Sequence, residues 1–354
     1  MDRATTPAVA DLRPVDAPPP PELSVEGLAR LFGLPDLPDR LAAVDARIAE
    51  ALGGDGALLG DASVRVAATG GKRLRPLLAI VTAALGDRFD QRVVNAAAAV
   101  ELVQVGSLVH DDILDQADTR RGRPTINAVE GVNHAVLAGD YILARAAELA
   151  ASVSREAAEL IAVTLTELCE GQVRELRDTY DPDRTVDEHL ASIRGKTAAL
   201  FECSTRLGAE GGGLSDANTA ALARYGHAFG MGFQVLDDVL DLIGSEAALG
   251  KPTGNDIESG VYTLPVIDAL TGAQGRHLRR LLTGPLGRDT LGRPGRPAEL
   301  SRALTLVRES GSVSTALAAM DRYCDDARRA VGHLDQTTIG EGLTTFPRLY
   351  TTWA

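Results

Sequence analysis

Two six-residue stretches of this chain set carboxylates between apolar spacers: His110 to Asp115 reads HDDILD, and Leu236 to Asp241 reads LDDVLD. On a helix, Asp111 and Asp115 are four residues apart and project from one face about 6 Å apart, as do Asp237 and Asp241. Asp112 and Asp238 stand beside them. Like charges so placed repel, and one such triplet alone could be a solvated acidic face. The spacers argue otherwise. Leu108, Val109, Ile113 and Leu114 flank the first triplet, and Val235, Leu236, Val239, Leu240 and Leu242 the second, so both helices are expected to be mostly buried. Carboxylates in such a setting call for cations, because an unpaired buried charge costs several kcal/mol. Mg²⁺ takes oxygen ligands, typically one or two carboxylates with waters and phosphate oxygens, and neither triplet offers the His or Cys that zinc favours. Two such helices facing each other suit a metal-bridged diphosphate.

Only three of the 36 basic residues are lysines: Lys72, Lys196 and Lys251. Arg serves wherever charge alone suffices, so the surviving lysines mark places where a compact ammonium differs from a guanidinium fork. Lys72 sits in GGKRLRP with Arg73 and Arg75, Lys196 in RGKTAALF, and Lys251 in LGKPTGND. Each lies at a helix end or Gly turn, where backbone N–H groups and a cation together can hold a phosphate. Arg120 and Arg121, in DTRRGRPT, follow the first triplet within two turns. Any one basic loop reads as surface solubility. Five positions ordered around two metal motifs read as a diphosphate site.

The elements that must position these residues are helical. Hydrophobic residues make up 45% of the chain but aromatics only 4%, and Ala and Leu dominate the apolar set, which favours helices over sheets. Apolar residues recur with helical spacing over roughly 37–53, 73–86, 90–114, 133–152, 155–176, 186–208, 215–243, 262–271, 298–309, 312–333 and 338–353. That predicts an all-α fold of about eleven helices, with no convincing strand. Gly-rich stops separate them, and Thr283–Pro297 has enough Gly and Pro for a mobile surface loop. Residues 1–22 are Pro-rich without apolar periodicity, which predicts a flexible leader before one helical domain at 23–354.

A net charge of −13 argues against nonspecific nucleic-acid binding, which needs a basic face. Cys169, Cys203 and Cys324 are odd in number and widely spaced, so packing is expected rather than a disulfide framework or zinc site. The sequence has neither a long uninterrupted apolar run nor a signal-peptide pattern, and a cytoplasmic protein is expected.

Taken together, GGKRLRP, VELVQVGSLVHDDILDQADTRRGRPT, KTAALF and GFQVLDDVLDLIGSEAALGKPTGNDIESGVYTLP resemble the all-trans isoprenyl diphosphate synthases, the polyprenyl synthetase family. The resemblance spans about residues 37–350. It implies a single-domain isoprenoid-synthase bundle with a central cavity, usually a homodimer, that condenses isopentenyl diphosphate with an allylic diphosphate. It makes Asp111, Asp115, Asp237 and Asp241 Mg²⁺ ligands, with three Mg²⁺ ions per site once substrate is bound. Asp112, Asp238, Lys196 and Lys251 join them in the catalytic set. Lys72, Arg75 and Arg121 are implied for isopentenyl diphosphate, Arg120, Lys196, Thr197, Gln234 and Lys251 for the allylic diphosphate, and Gln104 and Phe233 for substrate binding. A lipid product implies transient membrane contact at release. Two positions depart from the family: Gln104 stands where many members have His, and Val261 where many have Lys.

In this family a bulky residue just before the first triplet stops chain growth early. Gly106 and Ser107 are small, and Val103, Val100 and the Ala96–Ala99 run lie deeper, so a medium- or long-chain polyprenyl diphosphate such as a quinone side-chain precursor is expected. Equally, small residues there could serve close helix packing, with a plug such as Tyr141 or Phe201 supplied from another helix. A geranylgeranyl diphosphate synthase is the alternative. Two further readings are a class I terpene cyclase, which NDIESGVYT at 255–263 matches until Thr263 replaces a carboxylate, and a subunit of a heteromeric synthase.

Overall fold

The computed structural model describes residues 21–53, 60–67, 72–86, 88–244, 253–292 and 295–353. Most of the expected leader therefore lies outside the described residues, as does Lys251. The described residues form α1 (Val25–Phe32), α2 (Leu37–Leu52), α3 (Gly60–Ala67), α4 (Leu74–Ala83) and α5 (Gln91–Leu114), then α6 (Ile126–Glu130), α7 (Val132–Val153) and α8 (Arg155–Arg177). They continue through α9 (Val186–Ile193), a π-helical segment Arg194–Ala198, α10 (Ala199–Gly211), α11 (Asp216–Ile243), α12 (Asn255–Ser259), α13 (Leu264–Thr271) and α14 (Gly275–Thr283). Last come α15 (Arg296–Glu309), α16 (Ser312–Val331) and α17 (Thr338–Trp353).

Local chemistry starts these helices. Ser24, Thr185 and Ser215 cap α1, α9 and α11 through side-chain oxygens, and Thr185 forms a reciprocal capping box with Glu188. Packing then decides their place. The spine is α5, whose Ala96–Ala99, Val100, Leu102 and Val103 are fully buried and which packs most extensively against α7. By length and composition α5 could cross a membrane, but 78% of its most apolar window is buried inside the bundle. It is a core helix. On the other side α11 is sandwiched between α10 and α16.

The structure corrects the strand-free expectation at one point. Thr119–Arg120 and Arg123–Pro124 form a minimal antiparallel hairpin, register Thr119 with Pro124 and Arg120 with Arg123. Its tip residues Arg121 (φ 51°) and Gly122 (φ 70°) both take positive φ, the mark of a type I′ turn. The loop expected to be mobile is also pinned in its described part: buried Arg296 donates to Pro285 O, Gly287 O, Thr290 Oγ1 and, from α12, Glu258 O.

The predicted helix over 186–208 is interrupted by the π-helical segment, and its neighbour is the physical companion of the change. A Cβ on Gly171 of α8 would stand 2.4 Å from Lys196 N, and one on Gly195 would stand 2.5 Å from Glu167 O. Ser192 Oγ donates to Gly171 O at 3.0 Å across the same crossing. The two backbones thus meet without side chains between them, and the widened turn sets Lys196 beside α8. Gly171→Ala should therefore push the helices apart and cost about 1–3 kcal/mol. A lowered chemical-denaturation midpoint checks this; an unchanged midpoint would show that the crossing is slack.

Candidate active site

The first acidic triplet ends α5, and its members separate by direction. Asp111 is half-buried and Asp115 exposed, one helical turn apart, while Asp112 turns inward and is 4% exposed. Asp112 Oδ1 accepts a short hydrogen bond from Arg120 Nε, so the hairpin is tied back to the helix that precedes it. Burial raises the pKa of all three carboxyls above the ordinary range. Asp115 raises Asp111 further, Glu175 raises Asp111 and Asp115, and the Lys196 ammonium opposes the shift in both.

Lys196 is carried by the π-helical segment and its Nζ donates to Glu175 Oε1 at 2.7 Å. Burial alone would lower its pKa, but Glu175, Asp111 and Asp115 together hold it above the usual lysine value. Glu175 lies four residues beyond Gly171 on α8, on the same helical face, so the glycine crossing delivers acid and base to one place. Sequence reasoning missed Glu175, because its surroundings, EGQVRE, read as an ordinary polar helix; a demand for a partner to Lys196 was the available signal.

The second triplet, on α11, separates in the same way. Asp237 is exposed, whereas Asp238 is 3% and Asp241 1% exposed. Asp238 Oδ1 accepts from Gln234 Nε2 at 3.0 Å, and Gln234 Oε1 accepts from Thr197 Oγ1 at 2.7 Å. Asp238 Oδ2 lies 3.0 Å from Nε2 of buried His189, at an angle poor for a hydrogen bond. Asp241 Oδ2 accepts the Asp256 N–H at 3.1 Å, which anchors the start of α12. The structure thus gives Asp241 a clamping contact, and it draws Thr197 and Gln234 into a side-chain relay behind the triplet. Val261, at the end of α12, donates its N–H to Asp256 O.

Further cations surround these residues at α4 and on the hairpin. Lys72 is exposed, yet crowding around its ammonium lowers its pKa, with Asp237 opposing and Arg121 adding to the shift. Its Nζ donates to Tyr350 Oη at 3.0 Å. The Arg75 guanidinium lies 4.3 Å from the Phe201 ring centroid, and burial pushes its pKa down to about 10. Arg121, at the hairpin tip, is lowered by partial burial, with Glu101 raising it and Arg120 and Arg73 lowering it. Arg73, left-handed at φ 47°, pairs with Glu101 at 2.6 Å and Asp45 at 3.1 Å. Phe233 is half-buried and packs on Phe201 and Tyr350. Gln104 is half-buried on α5, seven residues before Asp111.

The residues expected to set chain length fall in different places. Ser107 is half-buried on the face of Asp111, its Oγ donating to Gln104 O. Val103 is fully buried. Gly106 faces α7: a Cβ there would stand 2.8 Å from Leu143, so its small size serves the α5–α7 packing. Tyr141 Oη donates to Leu52 O on α2 at 3.3 Å. His110 packs on Gly139 of α7 and its Nε2 lies 3.3 Å from Val136 O, a packing role.

Among the described residues no three His, Cys, Asp or Glu side chains close on a single point. The donor chemistry nevertheless fits a hard divalent ion. Asp111, Asp115 and Asp237 are oxygen donors, and burial raises the pKa of the first two. An ion that brings phosphate oxygens or waters for its remaining positions would oppose that rise.

A family model described as Polyprenyl synthetase matches residues 57–288. Heptaprenyl diphosphate synthase component 2 of Geobacillus stearothermophilus is 36% identical over 292 residues, 82% of this chain and 88% of that protein. Nonaprenyl diphosphate synthase of Mycobacterium tuberculosis is 37% identical over 280 residues, 78% of this chain and 81% of that protein. The crystal structure of a polyprenyl synthase from Caulobacter crescentus, complexed with calcium and isoprenyl diphosphate, superposes with a TM-score of 0.83 at 31% identity, covering 93% of this chain and 98% of the other. The chain belongs to the polyprenyl synthetase family, helical prenyltransferases that make polyprenyl diphosphates.

The raised pKa of Asp111 fixes the sign of a pH effect. Below the ordinary carboxylate range the group is protonated folded or unfolded; as pH rises through its raised folded value, ionisation favours the unfolded chain. Asp111→Asn should therefore melt at the same temperature as the parent at low pH and above it at neutral pH, while losing at least about a hundredfold in activity. Melting curves across pH check this, and a variant less stable at neutral pH would overturn it.

Proposed function

We propose that this chain condenses isopentenyl diphosphate with an allylic diphosphate to make an all-trans polyprenyl diphosphate of medium or long chain. The observation that supports the reading is the gathering of cations beside both acidic triplets: Lys72 feels Asp237, Arg120 bonds Asp112, and Lys196 feels Asp111 and Asp115, with Arg121 next to Arg120 at the hairpin tip. Lys72, Arg75 and Arg121 are assigned to the isopentenyl diphosphate. Arg120 and Lys196 are assigned to the allylic diphosphate, with Thr197, Phe233 and Gln234 behind them. Calcium and isoprenyl diphosphate in the Caulobacter structure support a divalent ion and a diphosphate here.

Asp111, Asp115, Asp237 and Asp241 would hold Mg²⁺, which when bound draws off charge that develops on the leaving diphosphate. The protein's own part is to preset the field. Lys196 is kept protonated by Glu175, so its charge is in place before substrate arrives. Arg120 is aimed by Asp112, and the paired helices limit water around the allylic cation that forms when the C–O bond breaks. That cation is then attacked by the double bond of isopentenyl diphosphate, and the departing diphosphate is positioned to take the proton released. No side-chain nucleophile is required.

Exposed apolar Val132, Val136 and Leu137 of α7 and Val163, Val173 and Leu176 of α8 support pairing of two copies through these helices. We read the enzyme as cytoplasmic, with membrane contact at product release. The relative named as a component of heptaprenyl diphosphate synthase makes a heteromeric partnership the reading to test against it, and activity of the chain purified alone separates the two.

Incubation with Mg²⁺, isopentenyl diphosphate and allylic primers should yield chains longer than geranylgeranyl diphosphate, and a chelator should abolish them. A dominant farnesyl or geranylgeranyl product would replace the long-chain reading with the short-chain one. Ser107→Phe should shorten the product, since Ser107 shares the face of Asp111. An unchanged distribution on product sizing would place the floor of the cavity elsewhere.

A further inference from the structure

Lys72 stands at the entrance to α4, and the contact to its ammonium comes from the far end of the chain. Tyr350 of α17, 278 residues away, accepts a hydrogen bond from Lys72 Nζ at 3.0 Å through its hydroxyl, and its ring centroid lies 5.0 Å from the same nitrogen. Both distances describe one contact: Nζ sits beyond the hydroxyl, so the hydrogen bond to Oη is what fixes the direction of the ammonium.

Tyr350 is itself fixed. It is 2% exposed, and its ring lies 5.8 Å from both Phe229 and Phe233 of α11 and 5.9 Å from Phe346 of α17. Burial pushes its phenol far above its ordinary pKa, and Asp237 adds to the effect, so at neutral pH the oxygen is a neutral acceptor for the ammonium. The residue therefore offers the first cation assigned to isopentenyl diphosphate a buried, neutral acceptor. A lysine has a flexible four-carbon stem, and ordering it costs conformational entropy that a preset contact removes from the binding step.

We propose that Tyr350 is a positioning residue for the condensation: it holds the Lys72 ammonium aimed at the isopentenyl diphosphate, so that the C-terminal helix sets the affinity for that substrate. This rests on the assignment of Lys72 made above. The alternative is that Tyr350 only fills the aromatic cluster, in which case its hydroxyl is dispensable.

Steady-state kinetics and melting temperatures of four proteins decide: the parent chain, Lys72→Met, Tyr350→Phe, and the double variant. Tyr350→Phe keeps the ring and should raise KM for isopentenyl diphosphate about three- to tenfold, the loss of one hydrogen bond. It should change kcat little, leave KM for the allylic substrate within about twofold and leave the melting temperature unchanged. Lys72→Met should raise the same KM further, and Tyr350→Phe should add nothing in that background, because the tyrosine acts through the lysine. No effect of Tyr350→Phe in the parent, or an equal effect in both backgrounds, overturns the proposal. If Lys72→Met leaves KM for isopentenyl diphosphate unchanged, the assignment of Lys72 fails instead.

Discussion

The repulsion between carboxylates at the end of a buried helix is the constraint around which this bundle is arranged. Asp111 and Asp115 cannot move apart, because the apolar residues that precede them hold α5 in the core. Their charge must be met from outside the helix, and each neighbouring element answers part of it. The hairpin after α5 returns Arg120 to Asp112; the π-helical segment brings Lys196 toward Asp111 and Asp115; α8 supplies Glu175, which keeps Lys196 protonated. None of these residues is close to the triplet through its own helix. The fold is the means by which distant charges are brought to a strained pair, and the strain is left incompletely relieved so that a cation with its diphosphate has something to gain by binding.

The two triplets differ in how they use the same spacing. Each sends one aspartate into the protein, Asp112 to Arg120 and Asp238 to Gln234, and each exposes another. They diverge at the last position. Asp115 closes its helix with a partly desolvated carboxyl that feels Lys196, whereas Asp241 is fully buried and anchors the backbone of α12. Through Gln234 and Thr197 the second triplet is joined to the π-helical segment, and through Asp241 to the segment that follows α11. The first wall depends on a hairpin whose tip residue, Arg121, holds a backbone conformation that costs a non-glycine residue free energy. An unequal pair of this kind suits a site that must receive two substrates in turn.

How much of this was legible in the sequence follows from the range of each interaction. Long helices such as α5, α7, α8, α11 and α17 were readable almost to the residue, because apolar periodicity is a local signal and each carries many turns of it. The short α1, α6, α12 and α14 gave too few repeats. The π-helical segment left no trace in periodicity; it accompanies a glycine on a different helix, 24 residues earlier, and only the crossing reveals it. The acidic triplets and lysines announced themselves by type and spacing. Their partners did not: Glu175, Glu101, His189 and Tyr350 are ordinary residues in ordinary helices until the fold sets them beside a charge. Gly106 shows the converse. Its small size was visible, but whether it opens a cavity or seats a helix depends on what faces it, and Leu143 of α7 does.

The sparse aromatics complete the division of labour. At 4% of the chain they could have been scattered, yet Phe201, Phe229, Phe233, Phe346 and Tyr350 form one cluster of rings 5.2–6.4 Å apart, joining α10, α11 and α17. Two cations rest against its edge, Arg75 on Phe201 and Lys72 on Tyr350. Aliphatic side chains of equal volume would fill the space but would offer no attraction to a charge, so both cations would be left to solvent and to the carboxylates alone. The carboxylates would then draw them inward, neutralising the charge that a diphosphate is meant to meet. The cluster therefore meets its cations in two ways, a ring face for Arg75 and a phenol oxygen for Lys72.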